Sequence, residues 1–214
     1  MTATAAETLD WCRRWIGYHE EGKSNRTIFA AMANHPQGFA WCATFISAAM
    51  KQEQVLVPAK ILVPSSRTMF SEAKLRGLNV PSQNIRPGDV VHMTRGMPSA
   101  WLGHVGIVEA VDGDTLVTIE GNTNSRGSAT GGSVLRHRRS RSAWNLGAWR
   151  PPYKPVNPNV KFILKLSDGR LVAWQGDMQD GKRVVTHIPT IPAAEALLAS
   201  GYVQTEYSGP ILLR

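Results

Sequence analysis

The sequence predicts an α+β fold in which N-terminal helices pack on one face of an antiparallel sheet. Three observations predict it. Apolar residues recur at helical spacing early in the chain. Short alternating segments follow them, so helices come first and strands later, without interleaving. A proline-rich stretch, "PPYKPVNPNV" (151–160), then sets off a smaller β-rich segment.

The elements follow in order. Ala5, Leu9, Cys12 and Ile16 form one stripe between Thr4 and Gly17, which predicts a first helix with Cys12 in the core. A second helix is predicted from Trp41 to Gln52. A third runs from Ser65 to Arg76, capped by Ser65 after Pro64 and stopped by Gly77. Strands are predicted over 89–93, 104–111, 115–122, 133–138 and 147–150. Beyond the prolines, "VKFILKLSDGRLVAW" reads as a hairpin about Asp168-Gly169. A short helix over 190–201 ends at Gly201, and "YVQTEY" and "PILLR" read as further strands. The expected organisation is a domain over 1–153, a linker over 154–159 and a small β-rich module over 160–214.

Composition bounds the possibilities. At 214 residues and 43% apolar content the chain can bury one ordinary core and a small second one. No run of about 18 apolar residues occurs, so no membrane insertion is expected. The start, "MTATAAETLDWCRRW", lacks a basic segment followed by an apolar one, so synthesis in the cytoplasm is expected. Two cysteines without zinc spacing are read as free thiols. The net charge of +8 sits in the first part: residues 1–155 carry 18 basic and 11 acidic groups, and 156–214 carry 6 and 5. Six arginines and no acid lie within 123–150, which suggests either a solvated strand and loop or an anionic partner. A nucleic-acid partner is not expected, because no recognised binding motif accompanies the arginines.

Cys42 opens the second predicted helix, where the amides and helix dipole favour a thiolate and offer donors to an oxyanion. Such a thiol needs a base, and the base an orienting partner. His19, His35, His92, His137 and His187 are read as surface or satisfied residues. His104 opens a strand with Gly106 beside it, so space is left next to the imidazole. Glu120 and Asn122 share one face of the next strand. In "AVDGDT", a two-residue Asp112-Gly113 turn would turn Glu120 away. A three-residue turn, Val111-Asp112 followed by left-handed Gly113 and a bulge, would set Glu120 directly opposite His104, and this register is the expectation.

The ordered segments "WCATFIS", "PGDVVHM", "GHVGIV" and "IEGN" resemble the CHAP family, cysteine, histidine-dependent amidohydrolases and peptidases. The similarity covers about 1–153 and includes "GAWRPPY", which resembles the family's last strand. It implies a papain-like fold and hydrolysis of an amide in bacterial peptidoglycan, by an amidase or an endopeptidase. Carried over, Cys42 is the nucleophile, His104 the general base and later acid, Glu120 the orienting carboxylate and Asn122 an accessory polar group. Some relatives bind calcium through acids ahead of the cysteine. "AAMANHPQGFAWC" has none, so neither a metal nor another cofactor is expected. Gln37 is either an oxyanion donor or a solvated loop residue, and Trp101 is a candidate substrate contact.

A wall-cutting domain linked to a second module resembles the layout of a bacteriophage endolysin. That implies action at the cell wall after release from the host cytoplasm, with peptidoglycan as partner and anionic wall polymers as possible ligands of the basic surface. The alternatives are a bacterial wall-remodelling hydrolase, an antibacterial effector, or a non-catalytic wall-binding or virion protein using Trp101, Trp144 and Trp149 as a glycan platform.

Overall fold

The computed structural model describes residues 3–94, 103–127, 131–154, 162–165, 170–179, 182–187, 203–206 and 211–213. The chain divides into two compact units, Met1–Lys154 and Pro155–Arg214.

In the first unit, α1 (Ala5–Arg14) begins at a capping box: Thr4 Oγ1 accepts from the Glu7 amide at 3.2 Å and the Thr4 amide donates to Glu7 at 2.7 Å. Cys12 lies fully buried on its inner stripe. A short helix, α2 (Ile28–Ala33), was not expected from the sequence. It has six residues, no side-chain cap, and a left-handed Asn34 as its end, so it leaves little periodic signal. Helices α3 (Cys42–Gln52) and α4 (Ser66–Leu75) fall where expected, the latter capped by Ser65 Oγ on the Thr68 amide at 3.2 Å.

The strands are β1 (Asn79–Val80), β2 (Val90–Thr94), β3 (Gly103–Asp112), β4 (Thr115–Thr123), β5 (Ser133–Ser140) and β6 (Gly147–Trp149). They form one antiparallel sheet in the order β1-β6-β2-β3-β4-β5. Every residue from Cys42 to Met50 is buried, because α3 lies between the sheet and the other helices. Phe29 stacks on Trp41 at 5.5 Å and meets Phe45 edge-on at 5.0 Å, contacts worth about 0.5–1.5 kcal/mol each beyond burial. Trp41 also donates to Glu20 at 2.7 Å, which pins the residue just before Cys42.

The β3–β4 register differs from the expected one. The turn uses Gly113-Asp114 as its two central residues, with Gly113 at φ +56, so the left-handed glycine serves the first turn position. Asp112 pairs with Thr115 and Val111 with Leu116; then a bulge leaves Glu109 unpaired before Val108 meets Thr118. Glu109 is buried, and Arg13 of α1 and Arg136 of β5 both bind its carboxylate. That ion-pair cluster gives the extra residue a place and holds the bulge.

In the second unit β7 (Phe162–Lys165), β8 (Leu171–Gln179), β9 (Lys182–His187), β10 (Val203–Glu206) and β11 (Ile211–Leu213) form a sheet ordered β10-β7-β8-β9-β11. β7 and β8 are the expected antiparallel pair, and β9 adds a strand not expected from the sequence. The Asp168-Gly169 turn and the helix expected over 190–201 lie outside the described residues. Among the described residues, no helix is long and apolar enough to cross a membrane.

Candidate active site

Cys42 occupies the first position of α3, 4% exposed, directly after the anchored Trp41. His104, at the second position of β3, is fully buried, and its Nε2 meets Glu120 Oε2 at 2.8 Å. The carboxylate acceptor assigns the proton to Nε2. The opposite nitrogen, Nδ1, is buried without a hydrogen bond among the described residues. Burial pulls the imidazole toward neutrality. The neighbouring Cys42 side chain and then Glu120, reinforced by their charges, override burial and push the pKa up to about 9. His104 is therefore a cation at neutral pH.

Glu120 reaches His104 by a different route from the expected one. Continued past Ile107–Ile119, the register puts Gly106 across from Glu120, with His104 two residues further along the same face. A Cβ on Gly106 would lie 2.9 Å from Glu120 Cγ and 3.2 Å from the Trp144 ring. The missing side chain is the space through which the carboxylate leans toward the imidazole. Thr118 donates to Glu120 Oε1 at 2.6 Å, and Arg139 bonds both oxygens, Nε to Oε1 at 2.7 Å and Nη2 to Oε2 at 2.6 Å. Burial raises the carboxyl pKa, but the bonds from Arg139 and His104, with their charges, hold it down at about 2. Arg139 and Thr118 were missed by sequence reasoning. Arg139 is hidden inside "RHRRSR", and only the β4–β5 pairing singles it out from its neighbours.

Asn122 is also buried, at φ +55 next to a register irregularity in β4, and neither its Oδ1 nor its Nδ2 has a partner among the described residues. Leaving such atoms unpaired costs about 1–3 kcal/mol each. Gln37 is not available: its amide accepts from Thr27 N and donates to Thr27 O, both at 2.9 Å. Trp101 lies outside the described residues. Trp144 and Trp149 are buried, so they do not form a surface platform for a glycan.

His92 is buried too, with both nitrogens occupied: Trp149 Nε1 donates to Nε2 at 3.0 Å, and Nδ1 faces Ser66 Oγ at 3.0 Å. The arginine-rich stretch is largely consumed internally. Arg136 pairs with Glu109, Arg138 with Asp112, Arg139 with Glu120, Arg141 with Asp114 and Arg150 with Asp89. Among the described residues, no cluster of three or more His, Cys, Asp or Glu could hold a metal ion.

The structure thus sets a buried imidazole with a braced carboxylate on one side and a helix-start thiol among its neighbours. Residues 34–122 match the model of the CHAP domain family. Among solved structures, a wild type endolysin, LysIME-EF1, aligns at 16% identity and a TM-score of 0.44, covering 99% of each chain. Ly7917 aligns at 20% identity and a TM-score of 0.43, over 70% of this chain and 63% of its own. Ly7917 with the hydrolyzing product of MDP aligns at 21% and 0.43 over the same shares. No curated protein matches the chain in sequence.

Proposed function

We propose that this chain hydrolyses an amide bond of bacterial peptidoglycan through a thiol mechanism, with Cys42 as nucleophile. The observation that carries the reading is the Cys42–His104–Glu120 arrangement, in which one imidazole nitrogen is held by a carboxylate and the ring is charged beside the thiol. The CHAP match over 34–122 supports the choice of substrate class.

In this reading the Cys42 thiolate attacks the amide carbonyl, and the amide N–H groups opening α3 receive the oxyanion. Imidazolium His104 gives its proton to the leaving amine as the thioester forms. Neutral His104 then takes a proton from water, and the hydroxide releases the carboxylate product and restores the thiol. Glu120 keeps Nε2 protonated throughout, and Asn122 offers its unpaired amide to the substrate. Glycosidic cleavage does not suit this site, since it calls for two carboxylates set about 5–9.5 Å apart across the bond. Purified protein should release new amino groups from walls without new reducing ends, and Cys42→Ala should abolish both clearing and amine release. Reducing sugars appearing in proportion to lysis would overturn the reading. Mass spectrometry of the fragments separates amidase from endopeptidase.

A further inference from the structure

We infer that Arg139 is a positioning residue of this site, holding the Glu120 carboxylate in the one orientation that aims His104 at Cys42. The inference rests on the thiol-hydrolase reading. Each carboxylate oxygen receives two donors: Oε1 from Thr118 and Arg139 Nε, Oε2 from His104 and Arg139 Nη2. Rotating the carboxylate would break all four bonds. A planar fork matching a planar carboxylate supplies this restraint, and a lysine point charge cannot.

The guanidinium is itself held on three sides. Its Nη2 also donates to the Gly127 carbonyl at 3.2 Å, and its carbon lies 5.8 Å from the Trp144 ring centroid. Trp144 in turn stacks on His104, with centroids 6.5 Å apart and planes 18° from parallel. Arg139 thus reaches His104 twice, through Glu120 along the ring edge and through Trp144 across its face. The charged and titratable groups around Glu120 are His104 from β3 and Arg139 and His137 from β5. Cys42 of α3 and His92 of β2 lie beyond His104. Arg139 is the one permanent cation among them that bonds the carboxylate. Without it, a fully buried Glu120 would take up a proton more readily and could no longer balance an imidazolium.

Gly127 gives a way to disturb the fork while keeping its charge. A Cβ there would come within 2.8 Å of Nη1 and 3.0 Å of Nη2, at a left-handed φ of +73.

The test measures two pH profiles on the intact chain: wall hydrolysis, and alkylation of Cys42 by iodoacetamide read by peptide mass spectrometry. Alkylation needs no wall, so it reports on the brace even if the substrate assignment fails. Arg139→Gln should lower kcat at neutral pH about tenfold or more with little change in KM, and should move the acid limb of both profiles up by about one pH unit. Arg139→Lys should restore most of the limb position and only part of kcat, and Gly127→Ala should lower kcat with the limb nearly in place. Wild-type limbs in Arg139→Gln overturn the inference. So does an equal loss in the Gln and Lys variants at every pH, which a merely structural role would produce.

Discussion

His92 and His104 stand on neighbouring strands, each fully buried, and they have opposite chemistry. His92 accepts from Trp149 and faces Ser66, so both nitrogens are spent. Burial, followed by the charge of His104, pushes its pKa down to about 3, and it is a neutral part of the packing. His104 has one nitrogen spent on Glu120 and one unspent, and its neighbours hold it charged at neutral pH. Burial is common to both. What separates the two here is the identity of the partners and the nitrogen left over, and on the proposed function that difference makes His104 the reactive one.

Breaking the reactive side should have the largest effect. Cys42→Ala and His104→Gln should each lower wall hydrolysis by at least about 10³-fold while leaving circular dichroism unchanged. Cys12→Ala should stay near wild-type activity, because that thiol is fully buried and burial pushes its pKa up, out of reach of neutral-pH chemistry. Clearing by Cys42→Ala at anything near the wild-type rate would break the comparison.

Next in size is the structural side. His92→Ala orphans the Trp149 and Ser66 partners and opens a cavity, so it should cost about 2–4 kcal/mol in denaturant unfolding. Its residual activity should keep the wild-type pH profile. A shifted profile would mean that His92 takes part in the chemistry.

The two histidines should also tilt stability in opposite directions. The folded pKa of His92 lies below its ordinary 6.5, so its contribution is present above about 6.5 and is lost as pH falls toward 3. The folded pKa of His104 lies above 6.5, so its contribution is full below about 6.5 and is lost as pH rises through 9. Thermal melts across pH should therefore flatten on the acid side in His92→Ala and on the alkaline side in His104→Gln. Activity should decline above about pH 9 as His104 loses the proton it donates.

The finest adjustment is Gly106→Ala, whose methyl would press on Glu120 and Trp144. A loss of about tenfold in kcat with KM unchanged is expected, because the carboxylate must shift away from His104.

The α+β order and helices α1, α3 and α4 were legible because their stripes and caps are local. Cys42 and His104 were singled out because a helix-start thiol and a strand-start histidine beside a glycine each carry their own chemical signal, and the structure places them at the start of α3 and of β3. Glu120 was placed on the correct face through an incorrect turn. The deciding irregularity is at Glu109, where ion pairs with Arg13 and Arg136 fix an extra residue, and nothing local to "AVDGDT" encodes those distant partners. Gln37 resembled a free donor because its two bonds to Thr27 exist only after the chain folds back. Arg139 was invisible for the same reason: its direct cross-strand partner is Leu116, and only the folded sheet shows that its side chain reaches along β4 to Glu120.

Strand β5 lies at the outer edge of its sheet; residues 17–20 cover its start through a bridge at Ser133 and bonds to Val134, and among the described residues the rest of that edge has no strand beside it. Such an edge invites a strand from another molecule to add to it. Arg136, Arg138 and Arg139 crowd three cations onto this strand, and each is tethered by an acid on β3 or β4. A second copy approaching edge to edge would meet the same cations. The cations of β5, Arg139 among them, thus set like charge against like charge along this edge.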